Sequence, residues 1–245
     1  MRTISIFLTA TLFFGFSAIL SAQDAKDIMK KVDNVLFAPS DKQAKVKIIL
    51  ENKSGKQKIR EAEMKQKGLD KKLYRYTYPE SEEGIATLSL PDGIMWLYMP
   101  AFGKPKKISL LAKSQAFTGT DFSYEDMTVN SYAKDYKPAL IKTTGEAYVV
   151  ELKPKSDKSN YSRLMMYVNK SEYLPIKIEY FDKRGRKAKE AAYKYEKAGK
   201  YWYAEEVVMT DLKKESTTTI LMTEVIFDQK LPDEDFTVEK LVPED

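Results

Sequence analysis

Residues 85–99 read IATLSLPDGIMWLYM, two short runs on either side of the turn Pro91-Asp92-Gly93. That turn chemistry reverses the chain and makes the runs an antiparallel pair. The first run alternates, with Ala86, Leu88 and Leu90 on one face and Thr87 and Ser89 on the other. The second does not. Ile94, Trp96 and Tyr98 fall on one face, and Met95, Leu97 and Met99 on the other. An antiparallel sheet with one solvated face should alternate cleanly. This stretch therefore predicts a sheet covered on both sides, or one curled around an apolar interior.

Outward from it the period-two habit continues. Val46, Ile48 and Leu50 open the series, followed by strands predicted at 57–67 and 72–78. After the midpoint come 147–153, 161–169, 173–181, 187–196, 201–212 and 216–228. Within 161–168, Tyr161, Met165 and Tyr167 again oppose Leu164, Met166 and Val168. The turns are short and polar, as at Lys183-Arg184-Gly185-Arg186 and Ala198-Gly199-Lys200. About eleven strands joined in this way form an antiparallel meander rather than a parallel sheet.

Two stretches depart from the beat. Residues 24–37 (DAKDIMKKVDNVLF) place Ala25, Ile28, Met29, Val32, Val35 and Leu36 at helical steps, with Asp24 as the cap. Residues 111–135 read as a loop with one or two helical turns. This helical material is too little to cover both faces of eleven strands. The expected fold is mainly β (α+β): a strongly curved antiparallel sheet forming a half-open barrel, with the N-terminal helix and the 111–127 segment as a lid. Candidate residues lining its interior are Ile28 and Val32 from the helix, and Val46, Ile48, Leu50, Leu164 and Met166 from strands. Met95, Trp96, Leu97, Tyr98 and Met99 are included with both faces of their strand, together with Phe117 and Phe122 from the lid segment.

Composition narrows the chemistry. The 245 residues include no His and no Cys. Imidazole and thiol catalysis, disulfides, zinc knuckles and a lipidated N-terminal cysteine are all excluded. The acids Glu82-Glu83, Asp121 with Glu125-Asp126, and Glu205-Glu206 sit next to each other on strands or in loops, where they read as solvated or capping groups. No phosphate loop or metal-ligand spacing is present in the sequence, so no catalytic residue, metal or cofactor is expected. The 41 basic and 36 acidic residues are intermixed, which fits a solvated surface and not a nucleic-acid footprint. Beyond Met1 stand Met29, Met64, Met95, Met99, Met127, Met165, Met166, Met209 and Met222. Thioethers at this frequency are either gap fillers in a core or an adaptable apolar binding surface.

The N-terminus reads as a signal peptide over residues 1–22. Arg2 precedes an uncharged, mostly apolar run from Thr3 to Leu20, and Ser21-Ala22 lead into polar Gln23-Asp24. A retained anchor is the alternative, for which the run is somewhat short. Residues 23–245 then form one domain, exported and expected to be a monomer in the periplasm.

The Asp92-Gly93 turn running into Trp96-Leu97-Tyr98-Met99-Pro100 resembles the LolA-like lipoprotein carrier superfamily. Lys106-Lys107-Ile108 and the block from Gln115 to Met127 (QAFTGTDFSYEDM) are similar to the branch of outer-membrane lipoprotein-sorting proteins. Pro79 with Gly84, and Leu231-Pro232-Asp233-Glu234-Asp235-Phe236-Thr237 with Leu241, agree as well. The resemblance implies a non-catalytic carrier that binds lipid or lipoprotein acyl chains in an apolar cavity and moves them towards the outer membrane. The interior residues named above would then be lipid-binding. An inner-membrane transporter and an outer-membrane acceptor are the implied partners. The same scaffold also suits a regulatory protein that senses lipids or lipoproteins. Gly68-Leu69-Asp70-Lys71-Lys72 lacks the Arg-Pro pair whose Arg touches the lid in the best-known carriers. That latch does not carry over, and a lipid other than a lipoprotein stays open as cargo.

Overall fold

A computed structural model describes residues 15–109, 115–128 and 131–243, with side chains from Asp24 onward. Its framework is one antiparallel sheet of thirteen strands among the described residues. The first half contributes β1 (Asp41–Glu51), β2 (Gln57–Lys67), β3 (Lys71–Tyr78), β4 (Ala86–Leu90), β5 (Ile94–Tyr98) and β6 (Lys106–Lys107). The second contributes β7 (Tyr136–Thr143), β8 (Ala147–Pro154), β9 (Tyr161–Asn169), β10 (Pro175–Asp182), β11 (Lys187–Ala198), β12 (Tyr201–Asp211) and β13 (Ser216–Phe227). Each strand pairs with its sequence neighbours except across β6 and β7, and β1 pairs with β13. The chain thus starts mid-sheet, zigzags to the β6 edge, crosses over through residues 108–135, and zigzags back from the β7 edge. The curved sheet does not close, and the crossover spans its mouth.

Two strands lie outside the eleven expected. β6 is only two residues long, below any periodic signal. β7 carries Pro138 between Lys137 and Lys142, which breaks alternation and suits the edge that this strand forms.

The register fixes the two faces. From Ala44 the facing row runs to Met64 and then Tyr74; from Ile48 it runs to Arg60 on one side and Ile220 on the other. Ile220 pairs with Val207, and farther along Met209 pairs with Ala191, Ala191 with Ile178, Ile178 with Met166 and Met166 with Val150. All these side chains point inward. The inner face holds two contiguous apolar clusters that share Ile220.

Helix α1 (Gly15–Leu36) covers the larger one with Ala25, Ile28, Met29 and Val32, all buried. It begins before the expected cap at Asp24 and runs back into the stretch read as a signal peptide; residues 1–14 of that stretch lie outside the described residues. No described helix is long and apolar enough to cross a membrane.

The outer face of β3–β5 is covered by the C-terminal tail. Leu231, Phe236 and Leu241 pack on Leu73, Ala86, Leu88 and Tyr98. Asp41 accepts hydrogen bonds from the Gln229 and Leu231 amides, and Arg75 donates to the Leu241 and Lys240 carbonyls. Both faces of β5 are therefore apolar for two separate reasons: helix and crossover inside, tail outside. Truncating Phe236, which is 3% exposed, to Ala is expected to cost about 3–5 kcal/mol, seen as a lower urea midpoint with an unchanged inner-face cluster.

Candidate functional site

The inner face under α1 and the crossover is where the sequence-predicted residues converge. Ile28, Val32, Met95, Phe117, Phe122, Leu164 and Met166 belong to one buried cluster. Val46, Ile48 and Leu50 belong to the neighbouring cluster on the same face. Leu97 and Met99 share the register face of Met95. Trp96 and Tyr98 do not belong with them. A strand turns successive side chains to opposite faces, and these two pack outward against the C-terminal tail.

Thioethers line much of this surface. Met29, Met95, Met166 and Met209 are buried in the larger cluster, with Met127 against it; Met64 and Met222 belong to the smaller. Met29, Val32, Val150, Leu152, Met166, Ile178 and Met209 have 0% exposure. A side chain at zero touches neither solvent nor a void wide enough for water. At these positions the inner face is filled by the protein's own side chains.

Two parts of the lid are held by different forces. The crossover is fastened by polar bonds from nearly every acid of its conspicuous block. Asp121, 6% exposed, accepts from the hydroxyls of Ser216 (2.6 Å) and Thr218 (2.8 Å) on β13. Glu125 accepts from the Ser159 hydroxyl and from the Asn160 amide and side chain. Asp126 closes a capping box with Ser123 at the start of α2 (Tyr124–Met127), accepts from Tyr161 at 2.8 Å and pairs with Lys189 at 3.2 Å. The expectation that these acids are solvated or capping is met by Asp126, which caps α2 and is also a buried tether, and is corrected for Asp121, a buried tether that caps no helix among the described residues.

Arg60, a residue that sequence reasoning missed, adds a further tie. It reaches from β2 on the inner face, is 8% exposed, pairs with Glu82 and donates to the Thr118 carbonyl at 2.7 Å. The Thr118 hydroxyl also bonds the Tyr76 phenol. Thr118 needs such support, because it stands at φ 47°, a conformation that is costly for a β-branched residue. Its one sequence signal is Arg60 falling in step with Ala62 and Met64 where an apolar residue is due.

Helix α1 is held otherwise. Among the described residues, its buried contacts are the apolar side chains named above, with polar ties at Lys31 and Asp33. Lys31 donates to the Tyr173 hydroxyl at 3.0 Å. Asp33 receives the N-terminus of α3 (Tyr132–Asp135): the Ser131 hydroxyl at 2.7 Å, the Tyr132 amide at 2.9 Å and the Ala133 amide at 3.0 Å.

Tyrosines supply the polar atoms inside. Burial pushes the Tyr74 and Tyr193 phenols up to about 12 and raises those of Tyr132, Tyr136, Tyr161 and Tyr180 too, so all stay protonated at neutral pH. Away from Arg60 and the Asp126–Lys189 pair, these clusters form a mostly apolar surface with hydroxyl donors. Among the described residues, no group of three or more acidic side chains is gathered as a metal site.

Residues 68–242 match the model of a family described as "Uncharacterized protein". No curated protein matches the chain in sequence. A crystal structure of a domain assigned to outer membrane lipoprotein sorting, from Vibrio parahaemolyticus, is 26% identical with TM-score 0.84, over 90% of this chain and 99% of that one. A LolA superfamily protein from Nitrosomonas europaea is 25% identical with TM-score 0.74, over 87% and 97%. A DUF1329 family protein from Desulfovibrio piger shares the fold at TM-score 0.84 and 24% identity, over 90% and 99%.

Replacing Asp33 by Ala removes three bonds between α1 and α3 at once. The Tyr132 and Ala133 amides and the α1 backbone should then exchange hydrogen faster. Stability should fall by about 1–2 kcal/mol, the loss expected for an N-terminal helix cap, while the Asp121-tethered loop keeps its protection.

Proposed function

Given that the chain belongs to the family matched over residues 68–242 and has a LolA-like fold, we propose that it is a non-catalytic periplasmic carrier of lipid or lipoprotein acyl chains, moving them towards the outer membrane. Residues 1–22 would direct its export. The observation that carries this reading is the inner face itself: a broad, methionine-rich apolar surface covered by a helix that makes few polar bonds to it.

The physics of such a carrier is an exchange of covers. Each methylene removed from water contributes about 0.8 kcal/mol, so a bare acyl chain has ample drive to bind. An arriving chain must first lift α1, exposing Ile28, Met29 and Val32. The net affinity is the difference between two apolar burials of similar kind. That keeps binding reversible and lets an acceptor take the cargo when α1 returns. Unbranched thioethers suit this task, because Met29, Met166 and Met209 can pack against a helix in one state and a flexible chain in the other. Partners of this work, an inner-membrane donor and an outer-membrane acceptor, follow from the same reading.

Mass spectrometry of organic extracts from gently purified protein should find an acylated molecule, and vesicle-to-vesicle transfer of a fluorescent acyl lipid should exceed the spontaneous rate. Met29→Gln puts an amide on the buried face of α1, penalises the closed state alone and should raise retained lipid by about tenfold, since burying an unpaired amide costs roughly 1–3 kcal/mol. Ile141→Gln, on the exposed β7 edge, should leave retention unchanged. Transfer no faster than background, with no extracted lipid, would overturn the carrier reading.

A further inference from the structure

Basic and acidic residues are intermixed along the chain, but the meander sorts them between the two ends of the sheet. In sheet order β2, β1, β13, β12, β11 and β10 are consecutive. At one end these six strands are joined by three hairpin tips, residues 52–56, 212–215 and 183–186. The tips hold seven basic residues (Lys53, Lys56, Lys183, Arg184, Arg186, Lys213 and Lys214) and one acid, Glu215. At the other end the same strands meet residues 37–40, 68–70, 170–174, 199–200 and 228–230. There Lys170, Lys200 and Lys230 are balanced by Asp70, Glu172 and Asp228. One end is strongly basic and the other neutral.

The basic tips are built to a fixed shape. Asn52, Asp182 and Asp211 stand at the start of the three turns, and each side-chain oxygen accepts from two amides of its own tip. Asn52 takes Ser54 and Lys56, Asp182 takes Arg184 and Arg186, and Asp211 takes Lys213 and Lys214. All seven basic residues are exposed. Lys53 pairs with Glu215, Arg186 with Asp182 and Lys214 with Asp211. Lys56, Lys183, Arg184 and Lys213 take part in no ion pair among the described residues. Leu212 stands among them, 45% exposed.

Two strand spacings separate neighbouring tips, so the outer two are roughly 20 Å apart. That exceeds the distance over which exposed charges act together on one small ion, about 8–10 Å in physiological salt. An array of unpaired cations on separate tips suits an extended anionic surface, and an exposed leucine between cations suits the boundary between headgroups and acyl chains. We propose that the three tips dock the protein on an anionic phospholipid bilayer, with Lys56, Lys183, Arg184 and Lys213 over the phosphates and Leu212 at the headgroup boundary. The site lies apart from the inner face and goes beyond the carrier reading, because it binds the membrane and not the cargo.

Co-sedimentation of the purified protein with vesicles tests it. Phosphatidylcholine vesicles containing phosphatidylglycerol should bind the protein, vesicles of phosphatidylcholine alone should not, and added salt should release it. Each basic residue near an anionic surface raises partitioning about fivefold, so K56Q/K183Q/R184Q/K213Q should bind roughly several hundredfold more weakly. These four side chains are exposed and unpaired, so the variant should keep its circular dichroism. Should it fail to fold, K183Q/R184Q alone should lose about twenty-fivefold. The control K47Q/K104Q/K137Q/K142Q removes the same charge from exposed positions elsewhere and should keep wild-type binding. Wild-type protein that ignores phosphatidylglycerol, or a control that loses as much as the tip variant, overturns the docking site. Retention on immobilised polyglutamate with none on vesicles assigns the tips to an acidic polypeptide and overturns it too. Docking is read without cargo, so its failure is distinct from a failure of lipid transfer, which bears on the carrier reading alone.

Discussion

The structure depends on one constraint: a curled sheet that does not close must have its apolar inner face covered. The meander places its free edges at β6 and β7, and the described part of the segment that joins them lies on the inner face. That segment lays Phe117, Phe122 and Tyr124 on the sheet, and α1 fills the rest with Ile28, Met29 and Val32. Both covers matter, because the residues beneath them are buried, several with no exposure at all. Hydrophobic burial of this kind is non-directional. It says that the face must be covered, and it does not say by what.

The division of labour between the two covers follows. The crossover is fixed by directional bonds to three separate parts of the sheet, through Asp121, Glu125 and Asp126, with Arg60 gripping the strained turn at Thr118. Losing a buried partner in such a network leaves another polar group unsatisfied, so the segment stays in place. Helix α1 rests mainly on apolar contact, which another apolar body can replace at similar free energy. Of the two segments expected to form the lid, the crossover is thus held by directional bonds and α1 mainly by apolar contact. Arg60, on β2, ties this crossover to the sheet through the Thr118 carbonyl and Glu82.

Most of the architecture was legible because a half-buried strand writes itself in period two, and twelve-residue strands such as β13 repeat the signal many times. β7 escaped because Pro138 and two lysines erase alternation at an edge, where only one neighbour constrains the residue. The site was legible as a surface but not as a side. In β5 both faces are apolar, and nothing within Trp96-Leu97-Tyr98 says which one meets the helix. That information sits far away in Leu231, Phe236 and Leu241, whose tail claims the face of Trp96 and Tyr98. The anchoring roles of Asp121 and Asp126 were hidden for the same reason: their partners, Thr218, Tyr161 and Lys189, are distant in sequence.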